Sequence, residues 1–376
     1  MTRRRILVTG GAGFIGSRLV RALALAGADQ DVEVVVLDSL HPQVHPRREW
    51  PALLPPTVRT VLGDVTDSGG WDALLRDHLP DVVVHLAAET GTGQSLTEAS
   101  RHGRINVVGT TEMLDAFTRR GHVPDGFVLA SSRAVYGEGR WTDAAGAAGY
   151  PRPRDAARLA AGLWDPDTGT GEPAQAPLPH RAATTQPRPT NVYAATKLAQ
   201  EHILDAWAGA HDCGLCVLRL QNVYGPGQSL GNPYTGIVTL FAQLALRGEA
   251  ADVYEDGQIL RDFVYVDDVV AALAAAAGRR AGGRVTVDIG SGAPVTLLDL
   301  ARRLAVLTGA PRPNVSGRYR AGDVRAAHAD LGAAAEILGY SPTVDLETGL
   351  LRLLDWISEE PGTLTGLLAL DGARRA

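Results

Sequence analysis

The chain has 376 residues, 45% of them hydrophobic, with a mean hydropathy of −0.02, enough for one large α/β domain or two coupled ones. A net charge of −6 and a pI of about 5.9 argue against nucleic acid or an anionic membrane as the main partner, and no apolar run reaches the roughly 18–20 residues of a membrane span. Two cysteines cannot build a disulfide framework, and the basic start Arg3-Arg4-Arg5 passes at once into Thr9-Gly10-Gly11 with no signal-peptide core, so the expected compartment is the cytoplasm.

Arg4–Thr9 is a short apolar run ending in glycines, and Phe14–Gly27 has helical spacing, with Ile15, Leu19, Leu23 and Ala26 on one face. Gly10, Gly13 and Gly16 join the two. Glycines there permit a tight turn, the approach of a pyrophosphate and close helix–strand packing. The N–H groups at the helix start, through Phe14 and Ile15, suit phosphate oxygens. A second apolar run, Val32–Asp38, ends on an acid about 20 residues beyond the last glycine. A carboxylate at Asp38 accepts from an adenine-ribose hydroxyl and repels a 2′-phosphate, which favours NAD over NADP. The competing reading is a structural glycine turn and a solvated Asp.

A third run, Val58–Gly63, leads to Asp64 and Val65, where the carboxylate suits an adenine amino group or an ordinary turn. After a helical segment near Trp71–His78, the run Val82–Ala88 ends in Leu86, Ala87 and Ala88, small enough for a nucleotide to approach, or simply core. Thr97–Arg120 is helical, and Phe127–Ser131 is a fifth strand with Ser131 and Ser132 at its carboxyl end. Ligands bind at that edge in open α/β folds, although a lone Ser at a strand end is also a common turn residue. The alternation predicts an α/β fold, a Rossmann-type doubly wound parallel sheet covered on both faces.

Residues 138–190 break the rhythm, being rich in Pro, Gly, Ala and Arg. So long a loop is expected to be functional or partly disordered and to flank the active site, with a short helix near Asp155–Trp164. Tyr193–His211 reads as a long helix and Leu215–Leu220 as a sixth strand. Cys213 and Cys216 have redox-motif spacing, but a single CxxC reads better as two small buried residues. The run 271–277 reads as a buried helix. Residues 1–220, with the insertion 138–190, are expected to form the cofactor-binding domain. Residues 221–376 are expected to form a smaller α+β substrate-binding part, with some segments returning to the first and the last ~15 frayed.

Of the 36 Lys and Arg residues, only Lys197 is Lys. It stands one helical turn after Tyr193, on the same face. An ammonium beside a phenol favours the phenolate, which makes a general base near neutral pH. An exposed helix pair is the alternative. A hydroxyl at Ser132 can hold a substrate hydroxyl for Tyr193.

In order along the chain, Thr9–Gly16, Gly63–Asp67, Leu86–Ala88, Ser131–Gly137, Tyr193–Lys197, Arg219–Gly227 and Arg261–Asp268 resemble the extended short-chain dehydrogenase/reductase superfamily, in its nucleotide-sugar epimerase/dehydratase branch. The resemblance implies NAD as cofactor and a nucleoside-diphosphate sugar as substrate. It implies Tyr193 as acid/base, Lys197 as the ribose ligand that depresses the Tyr193 pKa, and Ser132 as the group orienting the sugar hydroxyl. Asn222, Arg261 and Arg325 match diphosphate-binding positions, and Thr90 falls among the substrate contacts. A homodimer formed through helices near 97–120 and 193–211 is implied too. No metal is expected.

Dehydratases of this branch carry an Asp-Glu pair directly after the Ser/Thr, or use an additional Lys. Here those positions are Arg133 and Ala134, and no other Lys exists. Reductases commonly use NADPH, against Asp38. The resemblance therefore implies an NAD-dependent 4-epimerase, with a 4,6-dehydratase, a 4-keto-sugar reductase and a non-catalytic dinucleotide sensor as alternatives. Glu89–Ser95 and Gly227–Tyr234 are most similar to 4-epimerases of the dTDP-L-rhamnose and UDP-sugar type. The Cys pairs often found in the insertion of the former are missing from 138–190. Arg133 is the candidate for a substrate-specific contact.

Overall fold

A computed structural model describes residues 4–27, 32–168, 173–232, 236–279, 283–320 and 322–360. Seven strands, all parallel, make the central sheet: β1 (Arg4–Thr9), β2 (Val32–Asp38), β3 (Arg59–Leu62), β4 (Val82–His85), β5 (Gly126–Ser132), β6 (Gly214–Leu220) and β7 (Arg284–Ile289). Their order is β7-β6-β5-β4-β1-β2-β3. The order reverses between β1 and β4, where Thr9 pairs with both Leu37 and His85. A crevice opens above the carboxyl ends at such a switch point.

Alternate residues feed opposite faces of the sheet. Ile6 and Val8 join the core beneath α1 (Phe14–Gly27) and α5 (Val266–Gly278). Leu7 joins the core beneath α2 (Ser68–Asp77), α3 (Gly109–Arg120) and α4 (Val192–Ala210). Because both faces are covered, β4 is buried at all four positions, Val82–His85. Each fully buried Val, Leu or Phe contributes about 1.5–3 kcal/mol.

The first three elements lie where the sequence places them. The expected helix over Thr97–Arg120 is present and runs unbroken from Ala99 through a π-helical stretch, Gly103–Val108, into α3, with a short turn Gln94–Thr97 before it. A Cβ at Gly109 would stand 2.6 Å from Val65 Cγ2, so the chain there must pack tightly on the β3–α2 connection. The strand not singled out from sequence is β7, whose Arg284, Thr286 and Asp288 interrupt its apolar pattern.

The described residues of the insertion are ordered rather than structureless. Trp141–Thr142 pairs antiparallel with Ala148–Gly149 and Ala176–Pro177, and Asp155 caps a helix at Ala156–Ala160. Trp141 packs with Ala174 and Ala326, and His180 bonds backbone to backbone with His328 and Asp330. Inside this contact Arg154, 2% exposed, bridges Glu138 and Glu255. Cys213 and Cys216 are buried free thiols, each pushed up to about 11 chiefly by burial. The expected frayed C-terminus lies outside the described residues. Among the described residues no helix is long and apolar enough to cross a membrane, and no cluster of three or more His, Cys, Asp or Glu could hold a metal.

Candidate active site

A cleft of about 180 Å³ opens above β1, β2 and β4. Gly10 turns the chain there with φ +69°, and a Cβ on it would stand 2.7 Å from the Ala87 amide nitrogen. A Cβ on Gly16 would collide with the Gly10 carbonyl, so α1 can start this close to the strand only with glycine. The first-turn N–H groups of α1, including those of Phe14, Ile15 and Gly16, have no partner within the helix. Asp38 accepts from the Ala12 and Leu40 amides, both at 2.9 Å, one on each oxygen. Each oxygen keeps a lone pair for a ribose hydroxyl. Gly13, Asp64, Val65, Leu86, Ala87 and Ala88 line the same cleft. Asp64 also closes its own turn by accepting from the Thr66 amide and hydroxyl at 2.8 Å.

Thr90, expected against substrate, lines this cleft beside Glu89, whose backbone N–H and C=O are both bound by Asn106. Ser131, expected against cofactor, donates its hydroxyl to the buried Glu201 carboxylate. Glu201 is in turn clamped by Arg219 through both oxygens. A buried carboxylate needs that many donors, and Ser131 is one of them.

The catalytic candidates meet at the β5 edge. Asn191 caps α4 through the Ala194 amide, fixing the turn that carries Tyr193 and, one turn on, Lys197. Ser132 ends β5 with its hydroxyl against the Tyr193 phenol. Burial pushes the Tyr193 pKa up, and the Ser132 hydroxyl and the Arg133 guanidinium oppose the rise. Lys197 is not among those groups. Its amine is 3% exposed and donates to Gln200 Oε1 at 2.5 Å. Burial lowers its pKa to about 7, against a weaker upward pull from Glu201. The cation set against the phenol is the Arg133 guanidinium, which the sequence offered only as a substrate contact.

Arg133 donates from Nε to Asn222 Oδ1 at 3.0 Å. Burial and the neighbouring Arg261 lower its pKa to about 9, so it stays charged at pH 7. Arg261 donates to Asp323 Oδ1 at 2.8 Å and to the Val324 carbonyl at 2.7 Å. Burial raises the Asp323 pKa, but Arg261 and Arg133 more than offset it, and the net shift is down. Arg325, expected on a diphosphate, spends its guanidinium on Asp165, Glu255 and Asp256 at 2.7–3.0 Å. That arginine locks the insertion to the C-terminal part and is not free for phosphate. Gln200 was not found from the sequence, although its position three residues after Lys197, on the same helix face, was the available signal.

The profile described as the NAD dependent epimerase/dehydratase family matches residues 6–155 and 168–290. A dTDP-L-rhamnose 4-epimerase of Burkholderia thailandensis is 50% identical over 95% of this chain and 96% of its own length. A dTDP-glucose 4,6-dehydratase of Streptomyces griseus is 32% identical over 93% of both. The crystal structure of a Thermotoga maritima UDP-glucose 4-epimerase with UDP-glucose superposes with a TM-score of 0.75 at 29% identity, covering 94% of this chain and 99% of that one.

Proposed function

The chain belongs to the NAD dependent epimerase/dehydratase family, and we propose that it is a nucleoside-diphosphate-sugar 4-epimerase whose substrate is a dTDP-6-deoxy sugar of the rhamnose type. The Gly10 and Gly16 cradle and the open lone pairs of Asp38 fit NAD. Bound NAD takes up and gives back one hydride. Gly10, Gly13 and the start of α1 would hold its pyrophosphate and Asp38 its adenine ribose, with Asp64 and Val65 toward the adenine. Lys197 would donate to the nicotinamide ribose.

Tyr193, as phenolate, removes the proton of the C4 hydroxyl, which Ser132 orients. After the keto sugar has turned over in the site, Tyr193 would return the proton to the C4 oxygen. Arg133 stabilises the phenolate and, with Asn222, faces the substrate, while Arg261 gives its terminal nitrogens to Asp323 and to backbone carbonyls and adds positive charge behind them. Residues 1–220 are the cofactor-binding domain, whose insertion 138–190 reaches across to the C-terminal part, and 221–376 mainly bind substrate. We place a homodimer contact on α3 and α4, near exposed Leu96 and Val108, and the enzyme in the cytoplasm.

The observation that carries epimerisation over its alternatives is the pair after Ser132. Arg133 cannot give up a proton at neutral pH and Ala134 has none, so elimination of water from C5 and C6 lacks an acid. The test is incubation with dTDP-, UDP-, CDP- and GDP-sugars followed by NMR. A C4-epimer mixture reached from either side supports the reading. A 4-keto-6-deoxy product overturns it in favour of a dehydratase.

A further inference from the structure

We propose that Gln200 is a positioning residue for Lys197: its side-chain carbonyl, held in one orientation by Thr110 with His85 against it, fixes where the chain's only lysine amine stands. The inference rests on the reading of Lys197 as the ligand of cofactor ribose.

Gln200 is wholly buried on α4, one turn beyond Lys197. Its Nε2 lies 2.9 Å from Thr110 Oγ1 and 3.2 Å from His85 Nε2. The Thr110 hydroxyl donates to the Asn106 carbonyl at 2.7 Å, so its oxygen accepts from the amide. His85 Nδ1 lies 2.7 Å from Thr9 Oγ1, and burial, with the Lys197 charge added, holds the ring neutral down to about pH 3. His85 Nε2 also lies 3.1 Å from Thr110 Oγ1. The Thr110 oxygen, whose own proton goes to Asn106, claims the amide nitrogen, and the carbonyl faces Lys197. Turned over, the amide would set a donor against an ammonium that only donates.

The other titratable groups around the amine are few. Tyr193 and Glu201 share its helix, His85 comes from β4, and Arg219 from β6 offsets Glu201. Gln200 supplies a neutral acceptor among them and engages one ammonium N–H, leaving two for ligands. A neutral acceptor also spares Lys197 the anionic partner that would hold it charged at every pH.

With one lysine in the chain, protein labelled with heavy isotopes in lysine shows a single lysine side-chain resonance, that of Lys197. We would titrate it in wild type, Gln200→Glu and Gln200→Met, with thermal midpoint and NAD binding as folding controls. The expected result is opposite movement. The Glu variant titrates at least one pH unit higher than wild type, and the Met variant lower, because the charged amine loses its acceptor. Turnover is expected to fall at least tenfold in the Met variant, mainly in kcat. Titrations that coincide with wild type overturn the proposal. If the Met variant does not fold, the isosteric Glu variant decides alone. If no nucleotide sugar is turned over by any form, the epimerase reading has failed, while the resonance still reports on Gln200.

Discussion

Arg133 stands where its charge stabilises the ionised Tyr193 phenol. It follows Ser132 at the end of β5 and is braced by Asn222. Arg133→Ala removes a charge that favours the phenolate, so the Tyr193 pKa rises. The ascending limb of the pH–rate profile is expected to move to higher pH, together with a higher KM. A profile superimposable on wild type would show that the guanidinium does not act on Tyr193.

Tyr193→Phe keeps the ring and removes the proton carrier. Turnover is expected to fall by about 10²–10⁴-fold, the usual span for a general acid–base group. NAD affinity, measured calorimetrically, is expected to stay within a few fold, since the cleft and its glycines are untouched.

Lys197 titrates in the folded chain near 7. Its unfolded value is about 10.4, so between the two the unfolded chain holds more protons and stability rises with pH. Lys197→Met is expected to flatten the rise in thermal midpoint between about pH 7 and pH 10. Lys197→Arg is expected to lose nearly all activity, because a planar fork replaces a compact ammonium in a site 3% exposed. An arginine variant with wild-type kcat would contradict the assignment of a specific amine there.

Asp38→Asn leaves one oxygen for two backbone N–H donors and removes the negative charge that opposes a 2′-phosphate. The ratio of NAD to NADP affinity is expected to fall at least tenfold, read by titration of each cofactor.

Arg154→Ala strips the cation from between Glu138 and Glu255, which are 5% and 1% exposed. Removing one partner of a buried ion pair costs about 3–5 kcal/mol. Chemical denaturation should show that loss, and limited proteolysis should cut first within 138–190. An unchanged midpoint would mean that the insertion is held by Trp141 and its neighbours alone.

Local signals made β1, α1 and β2 legible: an apolar run, a glycine turn and a 3.6-residue period lie within 35 residues of one another. Tyr193, Lys197 and Ser132 were legible because their types and spacing carry the chemistry. What the sequence hid was partner choice across long separations. Arg325 looked free for phosphate, but Asp165 and Asp256, 160 and 69 residues away, take its donors. Ser131 is taken by Glu201 in the same way, 70 residues away. The small sheet of the insertion has strands of two residues, too short for any period to show.

β7 is contributed by residues 284–289 and pairs with β6 along its whole length. A chain emerging from the ribosome therefore leaves the β6 edge bare until residues 284–289 have been made. During that interval the β6 edge presents unpaired backbone N–H and C=O groups to the solvent. Truncations ending before Ile289 keep every residue assigned here to cofactor binding, yet they should aggregate for want of one strand.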